Sequence, residues 1–254
     1  MKVARSIGEL EVDGAVGLVP TMGALHAGHV SLFEAARIEN DVVVASLFVN
    51  PAQFDQQSDL ARYPRDEDRD LEIAERAGVD VLFAPSLTEM YPDGFATWIV
   101  PDATGAEGAA RPGHFRGVAT VCVKLFNIVR PARAYFGQKD AEQVVVIRRL
   151  VRDLNLDVEI RVLPTVRDSD GLALSSRNAR LSPEERARAV GLPHALATAA
   201  VSRDPVAVAR AELNGLDPDY VELLDLDGAT ILAAAVRIGS TRLIDNVLVK
   251  GALP

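Results

Sequence analysis

Short runs rich in β-branched residues alternate with longer segments of helical periodicity, and this alternation restricts the possible folds more than any other feature of the chain. Strands are predicted over residues 15–19, 41–49, 79–84, 133–137 and 157–163, and helices over residues 29–39, 66–77, 117–129 and 140–154. This order is typical of parallel βαβ units. It predicts an α/β protein with a Rossmann-like, doubly wound and mostly parallel sheet, whose ligands bind outside the carboxyl ends of the strands.

The pattern changes after about Arg177. A helix is predicted to begin at Ser182, because an N-cap serine is followed by Pro183 at the first helical position. Strand-like runs follow at residues 220–224, 231–238 and 242–249. We therefore expect a large domain over residues 1–177 and a second, smaller α+β C-terminal domain over residues 178–254 that acts as a lid. The Ala- and Gly-rich residues 104–110 indicate a mobile loop.

The composition excludes several classes of function. The chain has 254 residues, 48% of them hydrophobic, which is enough to bury a substantial core. Its formal net charge of -9 argues against nucleic-acid binding, because no overall positive field attracts a phosphate backbone. The single cysteine, Cys122, excludes an internal disulfide and lies in an apolar helical run that favours core packing. No apolar run reaches the roughly 18 residues that span a bilayer, so we expect a cytoplasmic protein without a membrane partner.

Residues 20–29, PTMGALHAGH, are the first segment with clear chemical potential. They follow the first predicted strand and begin a helix, where free backbone N–H groups and the helix dipole favour an anion. His26 and His29 could both donate to one bound phosphate and stabilise charge that develops during phosphoryl transfer. The alternative is structural, with His26 capping the turn and His29 packing.

Two further segments follow the second predicted strand. Asn50 and Gln53 are uncharged amides suited to a hydroxyl and a carboxylate, although an Asn-Pro sequence is also typical of a turn. In the charged run at residues 62–70, Asp70 could hold Mg²⁺, which commonly takes one or two carboxylates together with phosphates and water. Acidic residues in a first helical turn are equally ordinary complements of the helix dipole.

Two polar segments are predicted near the same edge of the sheet. Lys139 lies between a strand and a helix, where its charge suits a phosphate. The loop at residues 170–178 supplies Ser175, Ser176 and Arg177, a set of donors suited to a polyphosphate. The same loop could instead be a hinge between two domains.

Taken together, the segments resemble the motifs of the pantothenate synthetase family. PTMGALHAGH is similar to the HIGH signature of the adenylate-forming nucleotidyltransferases, and residues 174–178 resemble the second signature loop of that superfamily. FVNPAQF, RYPRD, RPGHFRGVATV, GQKD and GLALSSRN follow the family's order and spacing, with a recognisable tail at residues 241–246. The resemblance implies an ATP- and Mg²⁺-dependent homodimeric ligase that joins (R)-pantoate to β-alanine through pantoyl-adenylate, in pantothenate and coenzyme A biosynthesis.

The resemblance also implies roles for individual residues. His29 would be the catalytic proton donor and His26 a phosphate contact, with Lys139 and Arg177 as catalytic cations. Gln53 and Gln143 would bind pantoate, with Arg111 and Tyr63 as lesser contributors beside Asn50. The implied ATP-binding residues are Pro20, Thr21, Met22, Gly23, Ala24, Leu25, His26, Ala27, Gly28, His29, Gly137, Gln138, Lys139, Asp140, Val166, Leu174, Ser175, Ser176 and Arg177. Gln138 and Arg69 depart from the family's pattern of acidic residues, which bears on nucleotide and metal binding.

Two other functions compete with that of a ligase. A nucleotidyltransferase that forms a dinucleotide would share the histidine segment, but it should surround its acceptor with cations rather than amides. A catalytically inactive nucleotide-binding regulator has no need to keep two histidines, Lys139 and Arg177 together. ATP-dependent AMP release with pantoate and β-alanine separates these functions.

Overall fold

The computed structural model describes residues 1–103, 105–226 and 228–251. A six-stranded sheet occupies the N-terminal part of the chain. Its strands are β1 (Lys2–Ala4), β2 (Val16–Thr21), β3 (Val42–Leu47), β4 (Val81–Phe83), β5 (Arg133–Gly137) and β6 (Glu159–Leu163). The helices between them are α1 (Ala27–Glu39), α2 (Gln57–Ala61), α3 (Glu67–Arg76), α4 (Leu87–Met90), α5 (Ala106–Ala110), α6 (His114–Val129) and α7 (Ala141–Asp153). Short 3₁₀ helices cover Ile7–Glu9, Pro51–Gln53 and Gln138–Asp140.

The sheet is parallel at every described strand pair, and its order is β1-β4-β3-β2-β5-β6. Alternate residues of one strand lie in different hydrophobic clusters on its two faces. Leu18 packs with the buried side of α6, whereas its neighbour Val19 packs with Phe33 and Ala36 of α1. Burial on both faces is the physical reason why these strands are nearly continuous apolar runs.

The strand order reverses between β2 and β5. From β2 the chain proceeds to β3 and β4 on one side, and it returns through α6 to β5 on the other side. Loops that leave neighbouring strands in opposite directions open a crevice at their carboxyl ends. The histidine segment after β2 and the lysine segment after β5 therefore meet at this crevice.

The C-terminal part of the chain is a three-stranded antiparallel sheet covered by helices. The helices are α8 (Pro183–Ala189), α9 (Gly191–Ala200) and α10 (Pro205–Glu212), and the strands are β7 (Asp217–Leu226), β8 (Ala229–Ile238) and β9 (Thr241–Lys250). The even-numbered residues of β8, from Leu232 to Ile238, pack against the helices. Ile231 and Ala233 pack instead against Ala141 and Val145 of α7, which joins the two parts of the molecule.

The α/β fold and the smaller α+β part agree with the sequence analysis, and most element boundaries differ by only a few residues. The described sheet also contains β1, which was not predicted because three residues carry no periodicity. The mobile loop predicted at residues 104–110 is wrong for Ala106–Ala110, which form α5, while Thr104 lies outside the described residues. The division of the chain into two domains at residue 177 stays a prediction. The hydrophobic core of the C-terminal part includes Leu172, which precedes that boundary. Within the described ranges no helix is both long and apolar enough to cross a bilayer.

Gly117 provides a test of how α6 meets the crevice. A Cβ atom there would overlap the backbone of Ala52 and Gln53 in the 3₁₀ helix Pro51–Gln53. We expect Gly117→Ala to lower the free energy of unfolding by about 1 to 3 kcal/mol, because overpacking exceeds the gain in helix propensity of about 1 kcal/mol. Urea denaturation measures the change.

Gly191→Ala is the matched control, because the nearest atom to a Cβ at Gly191 is Leu216 Cδ1 at 3.6 Å. This variant should keep or slightly increase its stability. Equal urea midpoints for the two variants would contradict the close approach of α6 to the 3₁₀ helix.

Candidate active site

A cleft of about 310 Å³ opens at the carboxyl ends of β2 and β5 and extends to β9. Most of the predicted site residues line it. They are Pro20, Thr21, Met22, His26, Gly28, His29, Asn50, Gln53, Tyr63, Arg111, Gly137, Lys139, Asp140, Gln143, Val166, Leu174, Ser175, Ser176 and Arg177. The remaining predicted residues, which do not line the cleft, are Gly23, Ala24, Leu25, Ala27, Gln138 and Asp70.

The two histidines close the first turn of α1 with their ring nitrogens. His26 Nδ1 accepts a hydrogen bond from the Gly28 backbone N–H at 3.1 Å, and His29 Nδ1 accepts one from the His26 N–H at 3.2 Å. Because each Nδ1 is an acceptor, each neutral ring carries its proton on Nε2. The capping role of His26 is therefore confirmed, and both rings line the cleft, whereas their binding of a phosphate stays a prediction.

Burial keeps both imidazoles uncharged. It lowers the pKa of His26 to about 4, with a further contribution from the nearby Lys139 ammonium. Burial also lowers the pKa of His29 to about 3, assisted by the proximity of His26 and Lys139. Near neutral pH the pair therefore supplies two Nε2–H donors and no positive charge. The positive charge of the cleft comes from its lysine and arginines.

Asp70 holds the turn that carries the histidines. Its two carboxylate oxygens accept hydrogen bonds from the backbone N–H groups of Ala24 at 2.9 Å and Leu25 at 2.7 Å. The side chain is buried, with the residue only 2% exposed. The predicted metal role of Asp70 therefore meets a physical obstacle, because both oxygens already have backbone partners outside the cleft lining.

Asn50 fixes the orientation of Gln53. The Asn50 amide nitrogen donates to the Gly117 carbonyl at 3.1 Å, and its oxygen accepts from the Ala52 N–H at 3.2 Å and from the Tyr91 hydroxyl at 2.9 Å. The second amide hydrogen goes to Gln53 Oε1 at 2.9 Å. Asn50 thereby has no hydrogen-bonding capacity left for a substrate, contrary to its predicted role. Gln53 keeps its Nε2 hydrogens for a ligand.

His114 and Arg111 hold the backbone at Gln53, a role that sequence reasoning missed for the histidine. His114 Nδ1 lies 2.7 Å from the Gln53 carbonyl and donates to it, while Nε2 faces Arg111 Nη1 at 3.4 Å. Burial, together with the Arg111 guanidinium, lowers the pKa of His114 to about 4. Arg111 itself is paired with Asp55 at 2.9 Å. His114 lies in the motif RPGHFRG, but nothing in that motif indicates that the histidine binds the Gln53 carbonyl.

Arg177 and Arg180 converge on one carboxylate at the opposite side of the cleft. Arg177 Nη2 and Arg180 Nη1 each lie 2.8 Å from an oxygen of Asp59. Burial alone would raise the pKa of Asp59, but the two guanidinium groups lower it below its usual value. Tyr63 closes this region by accepting a hydrogen bond from Ser176 at 3.3 Å. Asp59 and Arg180 were absent from the predicted site.

The C-terminal sheet supports Lys139 from behind. Asn246 of β9 donates to the carbonyls of Gln138 at 3.0 Å and Lys139 at 2.9 Å. Arg242 of the same strand, which lines the cleft, binds Glu107 of α5 with two hydrogen bonds of 2.8 Å. These contacts span more than a hundred residues of sequence, so the tail motif at residues 241–246 gave no indication of its partners.

Comparisons with known proteins place the chain in a family. The family model described as pantoate-beta-alanine ligase matches residues 2–248. This chain belongs to that family. The pantothenate synthetase of Roseiflexus castenholzii is 52% identical over 277 aligned residues, which cover 98% of this chain and 100% of that relative.

Solved structures agree with the assignment. Pantothenate synthetase from Thermus thermophilus has a TM-score of 0.94 and 44% identity, with 99% of this chain and 100% of that chain covered. Pantoate-beta-alanine ligase from Francisella tularensis, solved in complex with beta-gamma ATP and beta-alanine, has a TM-score of 0.88 and 38% identity, with 99% of both chains covered. The chain is therefore an enzyme of the pantoate-beta-alanine ligase family, with its Rossmann-like fold.

Replacement of Asp70 by asparagine tests how this ligase family member holds its histidine turn. Asparagine presents one acceptor and one donor to two backbone N–H groups, so one of them loses its partner. We expect Asp70→Asn to lower the free energy of unfolding by about 1 to 3 kcal/mol. The Mg²⁺ concentration that gives half-maximal rate should stay unchanged.

Asp66→Asn is the matched control in the same helix. Asp66 caps α3 by accepting from the Arg69 N–H, and asparagine caps a helix about as well. Asp70→Asn protein with full stability and a raised Mg²⁺ requirement would assign the carboxylate to the metal instead.

Acidification tests the neutral histidines. Because folding depresses these pKa values from the ordinary value of 6.5 to about 4 for His26 and about 3 for His29, the unfolded chain binds more protons below pH 6.5. Stability is therefore complete above this pH and falls as the pH decreases toward 4. By pH 5 each imidazole should cost about 2 kcal/mol, measured by urea denaturation at several pH values.

The variant His26→Asn keeps an acceptor at the helix start and removes one titrating group. It should reduce the loss of stability between pH 7 and pH 5 by about 2 kcal/mol. His194→Gln is the control, because His194 is exposed on α9. Identical pH profiles for the wild type and His26→Asn would contradict the neutral, buried pair.

Proposed function

We propose that this enzyme condenses (R)-pantoate with β-alanine to give pantothenate, in the biosynthesis of pantothenate and coenzyme A. ATP would be converted to AMP and pyrophosphate through a pantoyl-adenylate intermediate. The observation that carries the proposal is the pairing, in one cleft, of phosphate donors with uncharged amides. His26, His29, Lys139 and Arg177 lie there with Gln53 and Gln143. The Francisella tularensis ligase binds an ATP compound and beta-alanine.

The amides suit pantoate, a small acid with hydroxyl groups. Gln53 presents Nε2–H donors because Asn50 occupies its carbonyl oxygen. Gln143 lines the same cleft from α7 and its side chain makes no hydrogen bond within the described chain, so both of its polar groups are available. Amides bind a carboxylate or hydroxyl without a change of charge, which leaves the carboxylate reactive.

In the first step the pantoate carboxylate attacks the α-phosphorus of ATP. A new bond forms between the carboxylate oxygen and phosphorus, and the bond from phosphorus to the bridging oxygen breaks, so that pyrophosphate leaves with the electron pair. A carboxylate is already ionised at pH 7, so the step needs alignment and charge neutralisation more than a base. Lys139 and Arg177 supply charge, and the two imidazoles supply Nε2–H donors.

In the second step the amine of β-alanine attacks the acyl carbon of the adenylate. The carbon–nitrogen bond forms, the carbon–oxygen bond breaks, and AMP leaves with its electron pair and takes up the proton that the nitrogen loses. No covalent link to the enzyme is required. Cys122 has no such role, because burial in the core raises its pKa to about 12.

Mg²⁺ would accompany ATP and neutralise phosphate charge when bound. Among the described residues there is no group of three or more histidine, cysteine or acidic side chains that could hold a metal ion. Asp55 and Asp59 in the cleft are paired with arginines. Asp140 is also paired, with Lys139, but at the longer distance of 3.6 Å and with a side chain that is 46% exposed, so it is the carboxylate best able to join the phosphates around the ion. A magnesium ion that takes one protein carboxylate and several phosphate and water oxygens fits this set.

The wider setting follows from the family and the site. We propose a homodimer, the commonest symmetric assembly. A reducing, cytoplasmic location agrees with the single buried thiol. A dinucleotide-forming transferase should place free cations around its acceptor. Arg111, the cation beside Gln53, is instead bound to Asp55 and lies 3.4 Å from Glu107, which disfavours that function.

Exchange of isotopically labelled pyrophosphate into ATP tests the adenylation step. Exchange should require pantoate and proceed without β-alanine, because the first step is reversible and the closed site protects the anhydride from water. Gln53→Ala and Gln143→Ala should reduce exchange mainly by weakening pantoate binding, by about 1 to 3 kcal/mol each.

Two experimental results would contradict the proposed adenylation step. Exchange that proceeds equally well without pantoate would mean that the phosphate chemistry is independent of the acid. Release of ADP instead of AMP in the complete reaction would indicate an acyl-phosphate route. Either result overturns the proposed function. His194→Gln should exchange at the wild-type rate, since this side chain is exposed on α9.

A further inference from the structure

Arg180 lies in the cleft but has no role in the mechanism described above. It is the last residue of the 3₁₀ helix Ser176–Arg180, one turn beyond Arg177, and its side chain is 19% exposed. The side chain lines the cleft together with Lys139 and the histidines. Its position raises the question of which group it binds when the cleft is filled.

The guanidinium of Arg180 is only partly satisfied by the protein. Nη1 donates to Asp59 at 2.8 Å, and Nη2 donates to the Arg62 carbonyl at 3.0 Å. Nε is buried and has no hydrogen-bond partner within the described ranges. A buried N–H group without an acceptor is costly, and a shift of the side chain toward a phosphate in the cleft would supply one.

Arg180 and Arg177 already share one anion in this structure. Each of the two Asp59 oxygens accepts from a different guanidinium, with both distances at 2.8 Å. A phosphate can bridge two guanidinium groups in the same manner, and it offers more oxygens. Two arginines and one aspartate also leave one net positive charge, which remains available to a more highly charged anion.

We propose that Arg180 binds the pyrophosphate portion of the nucleotide, together with Arg177, and holds pyrophosphate as it leaves. Asp59 occupies the two guanidinium groups before the nucleotide enters, and the phosphates compete with it for their donors. The inference rests on the proposed function, because it adds a second arginine to the polyphosphate site of that reaction. It predicts selectivity for ligands with two or more linked phosphates.

Calorimetric binding of pyrophosphate, ATP and AMP to the full-length enzyme tests this role. Arg180→Gln should weaken pyrophosphate and ATP binding about tenfold or more, because a charge-assisted contact is lost. AMP binding should change less than twofold. Arg180→Lys should recover part of the affinity, since it keeps the charge but loses the planar donor set. Arg152→Gln, at an exposed position on α7, is the matched control and should bind all three ligands normally.

Asp59→Asn separates a ligand contact from a structural pair. If Arg180 served only to hold Asp59, the variants Asp59→Asn and Arg180→Gln would remove the same pair and weaken pyrophosphate binding alike. We expect instead that Asp59→Asn binds pyrophosphate at least as tightly as the wild type, because a negative charge beside the phosphates is removed.

The outcomes distinguish this inference from the function on which it rests. Wild-type exchange and AMP release together with unchanged pyrophosphate affinity in Arg180→Gln would overturn the inference and leave the function intact. Parallel weakening in Asp59→Asn and Arg180→Gln, or equal weakening of AMP and pyrophosphate, would also overturn it. Wild-type enzyme that binds pyrophosphate but fails to release AMP would overturn the function alone.

Discussion

The buried carboxylate of Asp70 is the constraint on which the rest of the site depends. It accepts from two successive backbone N–H groups, at Ala24 and Leu25, and so fixes the turn between β2 and α1. Ala24 has φ 52°, a left-handed conformation that is strained for alanine and needs support. Gly23 has φ 82°, and a Cβ there would lie 2.8 Å from Asp70 Oδ2. The turn therefore combines a glycine, a strained alanine and a carboxylate that holds both.

From this turn follows the arrangement of the histidine donors. Because Ala24 and Leu25 are fixed, α1 begins at a defined angle, and the two imidazoles can accept from its first backbone N–H groups. Those bonds leave the Nε2–H groups as donors, and burial keeps the rings uncharged. The neutral hydrogen-bond donors and the positive charges of the cleft therefore come from different segments of the chain. Neutral donors lie at the helix start, while cations arrive on later segments, at Lys139 and Arg177.

Local periodicity explains how much of this could be predicted from sequence. The strand Arg133–Gly137 and the helix Ala141–Asp153 carry apolar patterns that depend only on neighbouring residues, and the sheet edge that they share with the histidine turn follows from parallel topology. Long-range polar pairs have no such pattern. Asp59 is 118 residues from Arg177, and Glu107 is 135 residues from Arg242. The sequence indicated Asn50 as a substrate ligand. Its hydrogen bonds, which include those to Gly117 and Tyr91 and leave it no free donor or acceptor, can be seen only in the folded structure.

The C-terminal sheet is part of the site because it controls the backbone at Lys139. Asn246 donates to the carbonyls of Gln138 and Lys139, and it is itself buried, with 3% exposed. Asp245 next to it pairs with Arg167, at 2.6 Å, on the segment that leads to the Ser175–Arg177 loop. Two neighbouring residues of β9 thus connect the lysine on one side of the cleft with the arginine loop on the other. A movement of this sheet would shift both Lys139 and the segment that leads to Arg177, so we expect these hydrogen bonds to couple the C-terminal part of the chain to the cleft.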